Sequence, residues 1–319
     1  MQTSRLVLVG AITSLLAACG ASDGDSAQTG TLKLGVTDAP VDVATEVVVQ
    51  FAGVELKPAG GRAFSIDFDQ PDSIDLLEQQ GTQRAMLLDG VTVPAGDYEW
   101  MRLKVEAEPN VDDSYIAINA GERCELRIPS GAESGLKVIR GFTVGVGSVT
   151  DMTIDFNLRK SVVQPPGQQA DAATCGGQAY LLKPVLRVVD NLQVGTISGN
   201  VDPNLVAAGN CPTSSATPGA VYLYGPYGAT DTALPPDDLD ENPLDGDPVT
   251  TASVDAAANY AYTIGFVPAG DYVVAYTCDA DDATQDANAA GATEVVTFTP
   301  AAGKTVTVTP NAISPVNFP

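Results

Sequence analysis

Met101-Arg102-Leu103-Lys104-Val105-Glu106 places an apolar side chain at every second position and a charged one between. Successive side chains of an extended chain point to opposite faces, so this stretch reads as a strand with one face in a core and one in water. The same period runs through Leu32, Leu34 and Val36, interleaved with Lys33 and Gly35, and through Ile154, Phe156 and Leu158, interleaved with Asp155 and Asn157. Longer runs, Glu46 to Lys57 and Tyr180 to Val189, read as central strands. Only Ser73 to Gln80 suggests a helix, with Ser73 as cap and Gly81 as stop, and it reads equally as another strand. The pattern predicts an all-β protein.

The composition changes after Val189. Residues 195–319 hold 15 Asp+Glu against the single basic Lys304. Strands are expected there near 196–201, 220–224, 260–266, 271–278, 292–298 and 304–309, a number and spacing that suit a β-sandwich. We therefore expect two antiparallel, prealbumin-like β-sandwich domains, residues 31–190 and 195–319. Val93-Pro94-Ala95-Gly96-Asp97-Tyr98 recurs as Val267-Pro268-Ala269-Gly270-Asp271-Tyr272. Proline followed by glycine sets a tight turn, so each copy is expected to form a similar hairpin.

The start of the chain reads as an export signal. Arg5 precedes Leu6 to Ala18, a small-and-apolar run of 13 residues, shorter than the roughly 20 a spanning helix requires. Leu16-Ala17-Ala18-Cys19-Gly20 resembles a lipobox, which implies cleavage after residue 18 and a diacylglycerol on the Cys19 sulfur. Residues 1–18 would then be the signal peptide and 19–30 a lipidated flexible tether rich in Gly, Ser and Asp. With Gly20 rather than an acid after the cysteine, the expected destination is the outer membrane.

From Cys19 onward the chain carries 15 basic and 40 acidic residues, a formal charge of −25. Such a field repels nucleic acid. There is no histidine, which removes the commonest general base and metal ligand. With Cys19 assigned to the anchor, Cys124, Cys175, Cys211 and Cys278 remain. In an oxidising compartment they suggest two bridges among three possible connectivities. The two-domain reading favours Cys124 with Cys175 and Cys211 with Cys278.

The N-terminal part also resembles a known family. Leu34-Gly35-Val36-Thr37-Asp38-Ala39-Pro40, Val47 to Glu55, Leu87-Leu88-Asp89-Gly90 leading into the first VPAGDY phrase, Gly135-Leu136-Lys137, Asp155-Phe156, Lys160-Ser161 and Leu182-Lys183-Pro184-Val185 together resemble the domain-of-unknown-function family DUF4382 over about residues 31–189. The resemblance implies a bacterial lipoprotein and no particular reaction. The C-terminal part is more loosely similar to carboxypeptidase-regulatory or transthyretin-like sandwiches, which are classed with carbohydrate-binding-like folds.

Several residues have the chemistry for a site. Asp38 before Pro40 is either a ligand or catalytic acid, or the acid of a turn that accepts backbone N–H bonds. Lys137, Arg140, Lys160 and Lys183 are either a basic pocket or scattered solvent contacts. Asp237 and Asp240 in one acid-dense loop, and Asp279 and Asp281 in another, are candidate calcium ligands or simply solvated carboxylates. Calcium is the only cofactor suggested. Tyr222 and Tyr224 share a strand face and suit either sugar stacking or a core. No nucleophile, base and oxyanion hole come together. The expected function is a non-catalytic envelope module that binds or scaffolds a protein or glycan while a lipid holds it to the membrane. The alternatives are a carbohydrate-binding accessory lipoprotein and a carboxylate-dependent hydrolase.

Overall fold

The computed structural model describes residues 28–39, 44–108, 111, 113–118, 122–128, 135–163, 180–183, 185–208, 211, 218–226, 248–278, 280, 296–300 and 302–319. The N-terminal strands are β1 (Thr29–Ala39), β2 (Ala44–Pro58), β3 (Phe64–Asp75), β4 (Ala85–Pro94), β5 (Gly96–Glu106), β6 (Tyr115–Ile118) and β7 (Glu122–Arg127). They continue as β8 (Leu136–Val138), β9 (Phe142–Val144), β10 (Val149–Asn157), β11 (Val162–Val163), β12 (Tyr180–Leu182) and β13 (Leu186–Asp190), with a one-turn helix α1 (Leu158–Ser161) after β10. The C-terminal part contains β14 (Val194–Asn200), α2 (Pro203–Ala208), β15 (Ala220–Tyr224), β16 (Thr250–Ser253), β17 (Ala261–Pro268), β18 (Gly270–Thr277), β19 (Lys304–Val308) and β20 (Ile313–Pro315). β1 begins at Thr29, so residues 29 and 30 belong to the sheet rather than to the expected tether.

Among the described residues the strands form four sheets, in the orders β13-β10-β1-β4, β11-β12-β7-β6-β2-β5-β8 with β3 on β2 and β9 on β5, β17-β14-β20, and β16-β15-β18-β19. The fold is all-β, as the alternation predicts. Most pairs are antiparallel, but β1 with β10, β7 with β12, and β14 with β20 are parallel. The Ser73–Gln80 stretch is the end of β3 followed by a 3-10 turn at Leu76–Glu78, where the Asp75 side chain accepts from the Leu77 N–H. Residues 180–189 do not form one strand. The segment divides into β12 and β13, which lie in different sheets, and the sequence carries at 184 a proline, which has no N–H to give to a ladder.

The first two sheets enclose one core. Leu32, Leu34 and Val36 of β1 and Ile154 and Phe156 of β10 meet Phe51 and Leu56 of β2 and Met101 and Leu103 of β5, all fully buried. Phe156 and Phe51 touch edge-to-face across the layers. Burying each such side chain stabilises by about 1.5–3 kcal/mol. The inward set in β2 is Val47, Val49, Phe51, then Val54 and Leu56, so its parity changes midway. The register shifts between Phe51 and Gly53 against both neighbouring strands. That bulge returns the apolar residues to the core, and a Cβ at Gly53 would lie 2.5 Å from the Ile66 carbonyl oxygen.

A second core, with Ile197, Val221, Leu223, Ile264, Val267 and Val274, fills the C-terminal sheets. The two VPAGDY phrases occupy equivalent places in the two parts, but neither forms a hairpin. Each carries the chain from one sheet to the facing one, β4 to β5 and β17 to β18. Their contacts correspond. Ala95 N–H donates to the Gln28 carbonyl and Ala269 N–H to the Gln193 carbonyl. The Thr143 hydroxyl donates to Asp97 and the Thr307 hydroxyl to Asp271. Tyr98 and Tyr272 both enter the core. The parallel pairs β1–β10 and β14–β20 complete the likeness.

Cys211 and Cys278 form a disulfide. Cys124 is also disulfide-bonded, and its expected partner Cys175 lies outside the described residues, as does Cys19.

Candidate functional site: a cleft between the two parts

β1 ends where the C-terminal part packs on the N-terminal one. The Thr37 hydroxyl lies 2.7 Å from the Gln79 carbonyl and 2.8 Å from that of Gln83, and the Asp38 N–H donates to the Gln79 carbonyl. These bonds tie the end of β1 to the segment after the 3-10 turn. In the parallel register Thr37 pairs with Asp155 and Asp38 with Phe156.

Asp38 is 5% exposed, and neither of its carboxylate oxygens makes a well-formed hydrogen bond. Its pKa is well above the usual carboxylate range. Burial is the main cause, and the negative charge of Asp155 adds to it. The Leu158 amide and the Arg159 charge pull the other way without cancelling the rise. Asp155 is also buried and raised by desolvation, although Arg187 opposes the rise through Nε at 3.1 Å and a second bond from Nη2. Asp151, four residues earlier in β10, behaves differently. Burial alone would raise it, but Arg84 binds it through both nitrogens at 2.7 and 3.0 Å and Asn191 adds a third bond, so its pKa is lowered. Asp38 lacks such partners.

Across the junction, Arg159 of α1 is fully buried and its Nε donates to the Thr251 hydroxyl of β16 at 3.0 Å. The backbones also meet. A Cβ on Gly265 of β17 would overlap the Gly81 carbonyl oxygen, so only glycine permits this approach. Next to it Phe266 has φ 53°, a left-handed conformation that is costly for a bulky residue. Gly265 and Phe266 together stand opposite the single Thr196 of β14, so the strain belongs to a bulge.

Between the parts lies a cavity of about 250 Å³. Thr37, Asp38 and Asp155 line it from the N-terminal part, and Thr250, Thr251 and Ser253 from β16. Phe266 separates it from a second hollow of about 350 Å³ beside Arg84 and Asn191.

Residues 29–184 match the family model described as Domain of unknown function (DUF4382). This part of the chain is a DUF4382 domain. It supplies Thr37, Asp38, Asp155 and Arg159, whereas Arg187 and the β16–β17 wall lie outside the matched residues. No curated protein matches the chain. Solved structures similar to it include a leucine-rich repeat protein from Bacteroides thetaiotaomicron, at 13% identity over 92% of this chain and 26% of that one with a TM-score of 0.23. The Bacillus anthracis TIE protein is 9% identical over 91% of this chain and 33% of that one, with a TM-score of 0.20. GBS52, the minor pilin of Streptococcus agalactiae, is 11% identical over 90% and 94%, with a TM-score of 0.19. The chain spans about a quarter and a third of the first two. These likenesses are too distant to bear on function.

The remaining candidates are placed as follows. Tyr222 and Tyr224 are fully buried and pack with Phe298 at ring separations of 5.8 and 6.0 Å. They belong to a small third core, with Val273 and Ala275, on the opposite face of the β15–β18 pair from the main C-terminal core. A buried ring cannot stack on a sugar, so the expected tyrosine face is corrected to a packing element. Asp237, Asp240, Asp279 and Asp281 lie outside the described residues. Among the described residues no cluster of three or more acidic or cysteine side chains is arranged to hold a metal ion. The four basic residues do not form a pocket around the cleft. Lys137 covers the ring of Trp100 at 4.5 Å and Arg140 donates to the Val188 carbonyl, and neither cavity is lined by Lys137, Arg140, Lys160 or Lys183.

Sequence reasoning singled out Asp38 but missed Asp155, Arg159, Thr251 and Gly265. Asp155 alternates with Ile154 and Phe156 and so reads as a solvent-facing strand residue. Arg159 and Gly265 carry no local signal.

Proposed function

We propose that this is a non-catalytic binding protein of the bacterial envelope, held to the outer membrane by lipid on Cys19, with its ligand in the cleft between the two β parts. The observation that carries the reading is Asp38. A carboxyl group that is buried without a well-formed hydrogen bond is unfavourable for the fold, and its position on the wall of a polar cavity is understandable if a ligand completes its bonding. Strain at Phe266, on the facing wall of the same cavity, is the kind of feature that concentrates at functional sites. The Cys211–Cys278 disulfide fits an oxidising compartment. Binding rather than catalysis is favoured because Asp155 is clamped by Arg187 and the other lining acid, Asp255, caps its own turn at the Ala257 N–H.

The test is a thermal-shift screen of the purified protein against soluble envelope sugars, amino sugars, amines and amino acids. At least one compound should raise the melting temperature of the native chain and leave Ser253→Trp, which fills the cavity, unchanged. Compounds that shift both proteins equally, or none that shifts the native chain, would overturn the cleft as the site. Radiolabelled palmitate should be incorporated by the native chain and not by Cys19→Ser.

A further inference from the structure

The cleft has a marked chemical bias. Asp38, Asp155 and Asp255 line it, and no lysine or arginine does. Asp155 is paired with Arg187, and Asp255 accepts from the Ala257 N–H at 2.8 Å. That leaves the Asp38 carboxyl, 95% removed from solvent, with no well-formed hydrogen bond to either oxygen. The other polar groups on the wall are mainly threonine and serine hydroxyls, and the Thr37 hydroxyl is held near the Gln79 and Gln83 carbonyls, so it presents an oxygen lone pair rather than a spare proton.

A wall with surplus acceptors and no lysine or arginine among its lining residues selects a donor-rich cation. A carboxylate ligand would meet repulsion without a compensating base, and a metal ion would find one unpaired carboxylate where it needs several oxygens. An ammonium group brings three N–H donors on one point charge. The overall charge of −24 would also concentrate cations near the protein.

Resting on the cleft being the ligand site, we propose that it binds a small organic cation, a primary ammonium group that docks on Asp38. The free protein keeps Asp38 protonated above the ordinary carboxylate range, so binding transfers that proton to solvent and leaves a carboxylate–ammonium pair. Charge balances: one ammonium enters and one proton leaves.

The experiment uses two probes of equal length, putrescine and 1,4-butanediol, on the full chain in detergent. Calorimetry in phosphate and in Tris, at several pH values between about 5 and 8, reads proton release directly. Putrescine should bind with net release of up to about one proton per chain. Its dissociation constant should rise at least tenfold in Asp38→Asn, and butanediol should not bind. Putrescine binding that is unchanged by Asp38→Asn would place the amine on the acidic surface and overturn the proposal. Butanediol binding that depends on Asp38 and is lost in Ser253→Trp would overturn the cation while keeping the cleft. A calcium-induced shift lost in Asp38→Asn would also overturn it, in favour of a metal. No binding of either probe, together with no hit in the wider screen, would remove both readings.

Discussion

Replacing Asp38 by Asn tests the physical basis of the cleft without any ligand. The two side chains have nearly the same shape, so packing is retained and the ability to ionise is removed. Asp38 is raised in the folded state by burial and by Asp155, so between its unfolded pKa, about 4, and its folded value the native state binds more protons than the unfolded one. Stability then falls as pH rises through that window. The native advantage of the protonated carboxyl is fully present below the unfolded pKa and is lost above the folded one. Each unit of difference corresponds to about 1.4 kcal/mol, and an unpaired buried polar group costs about 1–3 kcal/mol, more when charged. Asp38→Asn should therefore match the native protein near pH 4 and exceed it by about 1–3 kcal/mol near pH 8, a gain of several degrees at about 2–4 °C per kcal/mol for a body of this size. The assay is urea and thermal unfolding across that range, followed by fluorescence of Trp100, the single tryptophan, which lies in β5. A native protein that gains on the variant with rising pH would mean that the folded pKa is depressed and Asp38 is paired, and the reasoning would fail.

Other substitutions probe the frame around the cleft. Gly265→Val drives a side chain into the Gly81 carbonyl; it should cost about 1–3 kcal/mol and increase the radius of gyration by small-angle scattering while the far-ultraviolet spectrum is retained. Arg159→Ala removes a fully buried guanidinium that bonds Thr251 across the junction and should cost about 3–5 kcal/mol, read by chemical denaturation. Gly53→Val places its Cβ against the Ile66 carbonyl and should destabilise by about 1–3 kcal/mol, with hydrogen exchange accelerating in β2 and β3 before other strands. Cys211→Ser with Cys278→Ser opens a loop spanning 67 positions and should cost up to about 4 kcal/mol, measured as a lower denaturation midpoint.

The sequence alone determined several of the strands and which of their residues share a face. Leu32, Leu34, Val36, Met101 and Leu103 are buried as their alternation requires, because the pleat of an extended chain has a period of two whatever it packs against. The all-β class and the pairing of Cys211 with Cys278 were legible for the same kind of local or compositional reason. What covers each face depends on residues far away in the chain, and only the tertiary structure decides it. The change of parity at Gly53 follows from register with β3 and β5. The VPAGDY phrases cross between sheets because β1 and β14 pair with the strands before them and other strands with those after them. Tyr222 and Tyr224 are buried because a third cluster closes over a face that alternation leaves open. Asp38 is the sharpest case. Its sequence marks a turn acid, and solvent would keep such a carboxyl ionised. Asp155 comes near through the parallel pairing of β1 with β10, and the burial of Asp38 comes from all that packs around it, since desolvation is a property of everything that surrounds a group and not of its neighbours in sequence.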